Sequence, residues 1–158
     1  MEKLYRPNVA GLLVRPDGSL LICERTGQAG AWQFPQGGID PGETAREAVQ
    51  REVREETGFL PSHYVLERSL GGYRYDYPQE VLDEVRRKRS RPFVGQEQEY
   101  FLCRLKADAP APVLDRREFC ACSWIMPAEF RLEWLPEFKR EVYARVLADF
   151  FNVPSQDR

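Results

Sequence analysis

Two hydrophobic periods divide the chain. Residues 8–14 and 20–23 are dense apolar runs of strand length, with Pro16-Asp17-Gly18 between them. Asp-Gly between two apolar runs supplies the positive φ of a tight turn, so this stretch is read as a hairpin. Residues 70–77, 99–105 and 119–125 are further strand candidates, rich in aromatic and aliphatic side chains. A helical period takes over in residues 43–57, where Ala45, Ala48, Val49 and Val53 fall on one face at about 100° per residue. Thr44 with Glu47 forms a capping box at its start, and Gly58 stands where a helix ends in a left-handed glycine. Residues 136–151 repeat the helical spacing with Phe138, Val142, Val146, Leu147 and Phe150. A shorter helix is expected to open at Pro78 and to run through Lys88. Between the hairpin and the first helix lies a glycine-rich stretch, residues 27–42, interrupted by Trp32-Gln33-Phe34-Pro35. Strands, a helix, more strands and a closing helix predict an α+β fold with a mixed sheet between helices.

Composition narrows the partners. A chain of 158 residues, 42% apolar and 30% charged, is expected to form one globular domain over residues 1–158 without a disulfide or structural metal. Lys plus Arg count 23 against 25 acidic residues, a net charge of −2. No global basic field exists to hold nucleic acid, so an RNA would be gripped locally and no DNA partner is expected. No apolar run approaches the ~20 residues that span a bilayer, so no membrane partner is expected. The first seven residues carry no apolar signal core, and a cytoplasmic location is expected. Cys23, Cys103, Cys120 and Cys122 form no Cys-x-x-Cys pair, and His63 is the single histidine, in a polar turn. These argue for free thiols, against a zinc site and against a histidine-based triad.

The chemistry concentrates on the helix of residues 43–57. Glu52 and Glu56, spaced i and i+4, lie in the middle of its apolar face, and Glu55 borders it. Arg46, Glu47, Gln50, Arg51 and Arg54 fall on the opposite side, where the wheel places a solvated face. Burying carboxylates costs several kcal/mol per ion unless a cation compensates, and like charges at i, i+4 repel. A divalent cation would compensate, and carboxylates without His or Cys favour oxygen-loving ions, Mg²⁺ or Mn²⁺. A bare Glu-x-x-Glu-Glu also fits an ordinary acidic patch at a helix end. The context here is richer: Gly37-Gly38 and Pro41-Gly42 precede the helix, and such a loop lets backbone groups approach phosphates closely.

Gly37, five residues, Glu43, seven residues, then Arg51-Glu52-Val53-Arg54-Glu55-Glu56-Thr57-Gly58-Phe59 matches the Nudix box at every fixed position. A chance match at one site is on the order of 10⁻⁹ for average composition. Across nearly the whole chain the sequence resembles the bacterial RNA pyrophosphohydrolases and the related plant-type diadenosine tetraphosphate hydrolases of the Nudix superfamily. Tyr5-Arg6-Pro7-Asn8-Val9, Trp32 to Gly38, Tyr75-Asp76-Tyr77-Pro78, Gly95-Gln96-Glu97-Gln98 and Phe138-Lys139-Arg140-Glu141-Val142-Tyr143 carry that resemblance. It implies an α/β/α sandwich around a mixed sheet.

It also implies roles. Glu52, Glu55 and Glu56 would hold the catalytic ions, Mg²⁺ with Mn²⁺ as a substitute, with the Gly37 carbonyl and the later Glu118 completing the set. Glu43 and Arg51 would pair to brace the loop against the helix. A metal-bound water would attack phosphorus, and a glutamate would take its proton; Glu52, Glu55 and Glu118 are the candidates. Arg6 and Arg25 would hold phosphates or a base plane, Tyr75 would hold a phosphate oxygen, and Phe138 and Lys139 would stack on a nucleobase and hold the chain end. Phe138 also suits the core of the last helix, Trp32 core packing beneath the box, and the basic run at residues 86–91 either a solvated loop or an electrostatic hold on RNA. Departures from the family pattern are Glu99-Tyr100 in place of Lys-Trp, Cys120-Ala121-Cys122 after Glu118-Phe119, and a longer turn at residues 27–31. The expected substrate is 5′-triphosphorylated RNA, converted to the 5′-monophosphate. A dinucleoside polyphosphate is the alternative, ahead of a nucleoside triphosphate clean-up role or a non-catalytic binding module. A monomer and a homodimer are equally open.

Overall fold

One mixed sheet carries two helices on opposite faces. The computed structural model describes residues 3–88 and 93–154. In chain order it contains β1 (Leu4–Val14), β2 (Leu20–Arg25), β3 (Trp32–Gln33), β4 (Gln36–Gly38), α1 (Ala45–Thr57), β5 (Tyr64–Asp76), α2 (Gln79–Lys88), β6 (Phe93–Leu105), β7 (Phe119–Ile125) and α3 (Glu137–Phe151). The strands lie in the order β3-β2-β1-β6-β5, with β4 also paired to β1 and β7 to β2. β1 and β6 run parallel, and the other described pairings are antiparallel. This is the α+β mixed sheet that the element order predicts.

Strand alternation sorts β1 between two cores. Ala10, Leu12 and Val14 join Phe34, Tyr100 and the α3 residues Val142, Tyr143, Val146 and Leu147. Val9 and Leu13 join Ala48, Val49 and Val53 of α1, with Phe59, Phe101 and Phe119. Between them Gly11 lets α1 lie close, because a Cβ there would stand 2.9 Å from a Val53 methyl. The caps read from the sequence are present: Glu47 N–H donates to Thr44 Oγ1 at 3.1 Å and Thr44 N–H to Glu47 Oε1 at 2.9 Å. Gly58 closes α1 at φ 77°, its N–H donating to the Arg54 carbonyl. The hairpin turn is held by Asp17, whose Oδ1 accepts from the Ser19 N–H at 2.9 Å.

Several boundaries differ from expectation. β5 and β6 each run 13 residues and begin earlier than the expected 70 and 99. The first half of β5 exposes Glu67, Arg68 and Ser69, so no apolar alternation marks it; pairing with β6 makes it a strand. β3 and β4, of two and three residues, lie in the glycine-rich stretch and are too short to show a period. Trp32 packs in the cluster beneath α3, its ring 6.3 Å from Trp134, and not beneath the box helix α1. Arg86, Arg87 and Lys88 end α2, while Arg89, Ser90 and Arg91 of the basic run lie outside the described residues. Cys23 and Cys103 are buried, Cys122 is half-buried and Cys120 exposed, all as free thiols. No helix among the described residues is long and apolar enough to cross a membrane.

Candidate active site

Arg51 organises the entrance to α1. Its Nε donates to Glu43 Oε2 at 2.7 Å and its Nη2 to Glu43 Oε1 at 3.0 Å, a two-pronged pair. The same guanidinium reaches the Gly38 carbonyl at 2.9 Å, Glu52 Oε1 at 2.7 Å and Glu55 Oε2 at 3.4 Å. The Glu43 carboxyl is held at about 2 by this contact first and by the Asp40 N–H second. The helical wheel puts Arg51 on the solvated side with Arg46, Glu47, Gln50 and Arg54. The structure corrects this for Arg51, whose side chain is only 21% exposed. A wheel records where Cβ points, and a long Arg stem carries its head round the helix to carboxylates on the neighbouring face.

Three glutamates meet on the inner edge of α1. Glu52 is half-buried, and burial raises its carboxyl above the usual range despite the opposing Arg51. Glu55 is exposed. Glu56 is 5% exposed, and its Oε1 accepts the Gln36 N–H at 2.9 Å. Burial, and then the charge of Glu52, push the Glu56 carboxyl up to about 9; the carboxylates of Glu118 and Glu55 push it the same way, less strongly. Glu118 itself is exposed, on the turn before β7. That turn is tied to the end of α1 by Asp115 N–H to the Glu56 carbonyl at 3.1 Å, and to β2 by Thr26 N–H to the Glu118 carbonyl at 2.9 Å.

The donor chemistry fits a divalent ion. Four carboxylates share one neighbourhood, and a single N–H stands against the most buried of them. No group of three acidic, histidine or cysteine side chains among the described residues is gathered tightly enough to hold an ion as it stands. Glu52 is turned onto Arg51, and Glu56 onto Gln36. Gly37 leaves room for the cluster, since a Cβ there would lie 2.1 Å from the Glu52 carboxyl carbon.

On the opposite face of the sheet the charge reverses. Arg6, Gln96 and Tyr75 stand in one row across β1, β6 and β5, and Tyr75 OH donates to Gln96 Oε1 at 2.6 Å. With Arg25, Phe138 and Lys139 they line a hollow of about 460 Å³. Phe138 is half-buried, packed on the α3 core and on the Tyr75 ring at 5.5 Å, so it serves the core and the hollow together. Burial, and then nearby Arg25, lower the Lys139 amine to about 8. Among the described residues no carboxylate pairs with Arg25 or Lys139. The two regions touch at Gly37-Gly38. A Cβ on Gly38 would lie 2.2 Å from the Arg6 guanidinium, so successive glycines admit Glu52 on one face and Arg6 on the other. Glu99 pairs with Val9, whose side chain joins the α1 core, so it lies away from the hollow.

Sequence reading missed five contributors. Gln36 holds Glu56 through its backbone, and no side-chain pattern announces that. Gln28 joins the hollow from the turn of residues 27–31. Gln96 was part of a matching segment without a role. Val81 and Val85 of α2 line the hollow, and their i, i+4 spacing was a legible signal.

The NUDIX domain profile matches residues 4–146. The chain is 40% identical over 156 residues to the RNA pyrophosphohydrolase of Xylella fastidiosa (strain Temecula1 / ATCC 700964), covering 96% of this chain and 80% of that protein. It is 42% identical over 147 residues to the RNA pyrophosphohydrolase of Stenotrophomonas maltophilia (strain R551-3), covering 90% and 69%. Among solved structures, the E. coli dihydroneopterin triphosphate pyrophosphohydrolase superposes with a TM-score of 0.67 at 17% identity, covering 93% of this chain and 99% of that one. A C. elegans Ap4A hydrolase in binary complex superposes with a TM-score of 0.58 at 17% identity, covering 92% and 98%. At such identities these structures speak for the fold alone.

Proposed function

This chain belongs to the NUDIX domain family, and on that premise we propose that it removes pyrophosphate from the 5′ end of triphosphorylated RNA, leaving a 5′-monophosphate. It is a Nudix hydrolase, and relatives about 40% identical over most of the chain carry the name RNA pyrophosphohydrolase. The observation that carries the reading is the contact of opposite charge across Gly37-Gly38. An acidic cluster whose most buried member, Glu56, meets no cation among the described residues abuts a hollow where Arg25 and Lys139 meet no carboxylate. A polyphosphate chain with divalent ions satisfies both at once.

Nudix hydrolases generally use divalent metal ions. Glu52, Glu55, Glu56 and Glu118, with the Gly37 carbonyl, would hold them, Mg²⁺ first and Mn²⁺ as a substitute. When bound, such ions supply positive charge against the phosphate oxygens and acidify the attacking water. Glu52 is the group we assign to accept the proton. Arg51 keeps it oriented, and burial already raises its proton affinity. Arg6, Arg25 and Lys139 orient the phosphates by charge-assisted hydrogen bonds. Phe138 offers a ring face to the first nucleoside, and the Tyr75 hydroxyl, which donates to Gln96, stands in the hollow to meet a phosphate oxygen. We place the activity in the cytoplasm, where an exposed thiol such as Cys120 stays reduced.

A dinucleoside polyphosphate is the second reading. A further hollow of about 470 Å³ adjoins the first through Val81, Pro136 and Phe138, room for a second nucleoside. One preparation assayed for kcat/KM on 5′-triphosphorylated RNA and on diadenosine tetraphosphate separates the two. Hydrolysis of RNA with the higher kcat/KM supports the first reading. Failure to attack RNA at any Mg²⁺ concentration overturns it.

A further inference from the structure

The hollow has a second wall, made by α2. Val81, Glu84, Val85 and Lys88 recur at one-turn spacing and line the same hollow as Arg25 and Lys139. No residue of α2 is buried, so its inner stripe is spent on this hollow and not on the core. Arg86, Arg87 and Lys88 close the helix, and of these three Lys88 alone lines the hollow. Glu84 is the one carboxylate of that lining, and Lys88 Nζ holds it at 2.9 Å. A carboxylate among so many cations would be drawn towards Arg25 or Lys139. Its own helix neighbour takes it instead, which leaves the opposite wall's positive charge for a ligand.

We propose that Lys88 is a further substrate-binding residue, taking the phosphodiester that follows the first nucleoside of a 5′-triphosphorylated RNA, with Glu84 holding its ammonium along the wall between substrates. The proposal rests on the RNA reading above. Arg6 lies on β1 beside Gly38, Arg25 on β2 and Lys139 in the first turn of α3. Their share is the triphosphate. Lys88 stands in the last turn of α2 and lines the hollow from that helix, placed to meet a chain that runs on from a triphosphate held there. A lysine suits that task, being a point charge on a flexible stem that follows a backbone without reading sequence. The pair with Glu84 is an exposed i, i+4 contact with side chains 71% and 54% exposed. Such pairs are weak and exchange readily, so an incoming phosphodiester can displace the carboxylate.

The test is binding of a short 5′-phosphorylated RNA, the reaction product, labelled at its 3′ end and followed by fluorescence anisotropy without divalent ions. Lys88→Met is expected to raise Kd about 5–10-fold at low salt and to lower the slope of log K against log salt by about 0.7, the contribution of one contact to a single strand. Lys88→Arg is expected to restore binding, and Glu84→Gln to tighten it about twofold. Competition by a nucleoside 5′-monophosphate should be unchanged. Equal binding of the RNA by Lys88→Met and parent overturns the proposal. So does an equal loss for the mononucleotide, which would move Lys88 to the 5′ phosphate. Because no turnover is read, a parent that binds RNA through Lys88 yet does not hydrolyse its triphosphate would sink the functional reading and leave the contact standing.

Discussion

Replacing Lys139 by Met should stabilise the protein while weakening it as an enzyme. The Lys139 amine is lowered from 10.5 to about 8 by burial and by nearby Arg25. Each tenfold displacement of such an equilibrium is worth about 1.4 kcal/mol, so keeping the charge in the folded hollow at neutral pH costs at most about 3 kcal/mol. Methionine keeps the unbranched stem that lies beside Phe138 and removes the ammonium. The sign follows from proton binding. Below about 8 both folded and unfolded chains carry the charge, and the folded chain bears the full cost. Between about 8 and 10.5 the folded chain has lost the proton and the unfolded chain has not, so parent stability rises with pH. Above that window the cost is gone. Urea unfolding at pH 7, 8.5 and 10 should find Lys139→Met about 2–3 kcal/mol more stable at pH 7, with the gap closing as pH rises. Other groups that titrate there act on both proteins and cancel in the difference. At pH 7, inorganic triphosphate should raise the parent's Tm more than the variant's, and kcat/KM should fall in the variant. A variant no more stable than the parent at pH 7, or a gap that ignores pH, would refute the reasoning.

Three further substitutions probe the acidic cluster and the packing of the sheet. Glu56→Gln keeps an oxygen for the Gln36 N–H and removes a carboxyl raised to about 9; it should fold, lose the Tm increase that Mg²⁺ gives the parent, and lose at least about 100-fold in kcat. A carboxyl raised on folding stabilises below its unfolded value and loses that contribution as pH rises, so the metal-free parent should weaken from about pH 4.5 towards 9 relative to this variant, as thermal melts over that range would show. Gly37→Ala puts a Cβ 2.1 Å from the Glu52 carboxyl carbon, the free end of a flexible side chain; stability should change by about 1 kcal/mol or less while kcat falls at least about tenfold. Gly95→Ala puts a Cβ 1.9 Å from the Tyr75 carbonyl oxygen, part of a paired strand that cannot step aside; denaturant melts should show a loss of about 3 kcal/mol.

What could be read in advance was whatever the chain encodes locally. The capping box, the left-handed Gly58 and the carboxylates on an apolar face all lie within one helix, where spacing fixes direction. The Nudix box extends that reach, because its glycines and glutamates keep fixed offsets. The pairing of Arg51 with Glu43, eight positions away, was legible only through the family resemblance, since the helical wheel alone turns Arg51 to the solvated side. The first half of β5 escaped because an edge strand exposes both faces and needs no apolar alternation. The hollow could be named only residue by residue. Arg6, Tyr75 and Gln96 are neighbours because β1 and β5 both pair with β6 in a particular register, and register is a property of the assembled sheet.

The opposed charges of the two regions also explain why the site lies at the glycines of β4. Burial opposes the charged form of both Glu56 and Lys139, pushing one carboxyl up to about 9 and one amine down to about 8. Had they faced each other, they would have paired and cancelled, leaving a structural salt bridge and no reason to bind anything. The sheet keeps them on opposite faces, and the two regions meet at Gly37-Gly38, where the three-residue strand β4 ends in two glycines. Local rules are broken on both sides of that point without an internal gain, and the compensation must come from a ligand. A ligand that satisfies both needs anionic oxygens for the hollow and a way to bring cations to the carboxylates. A polyphosphate accompanied by divalent ions is the simplest molecule that does so, and its length sets how far the charge separation can extend.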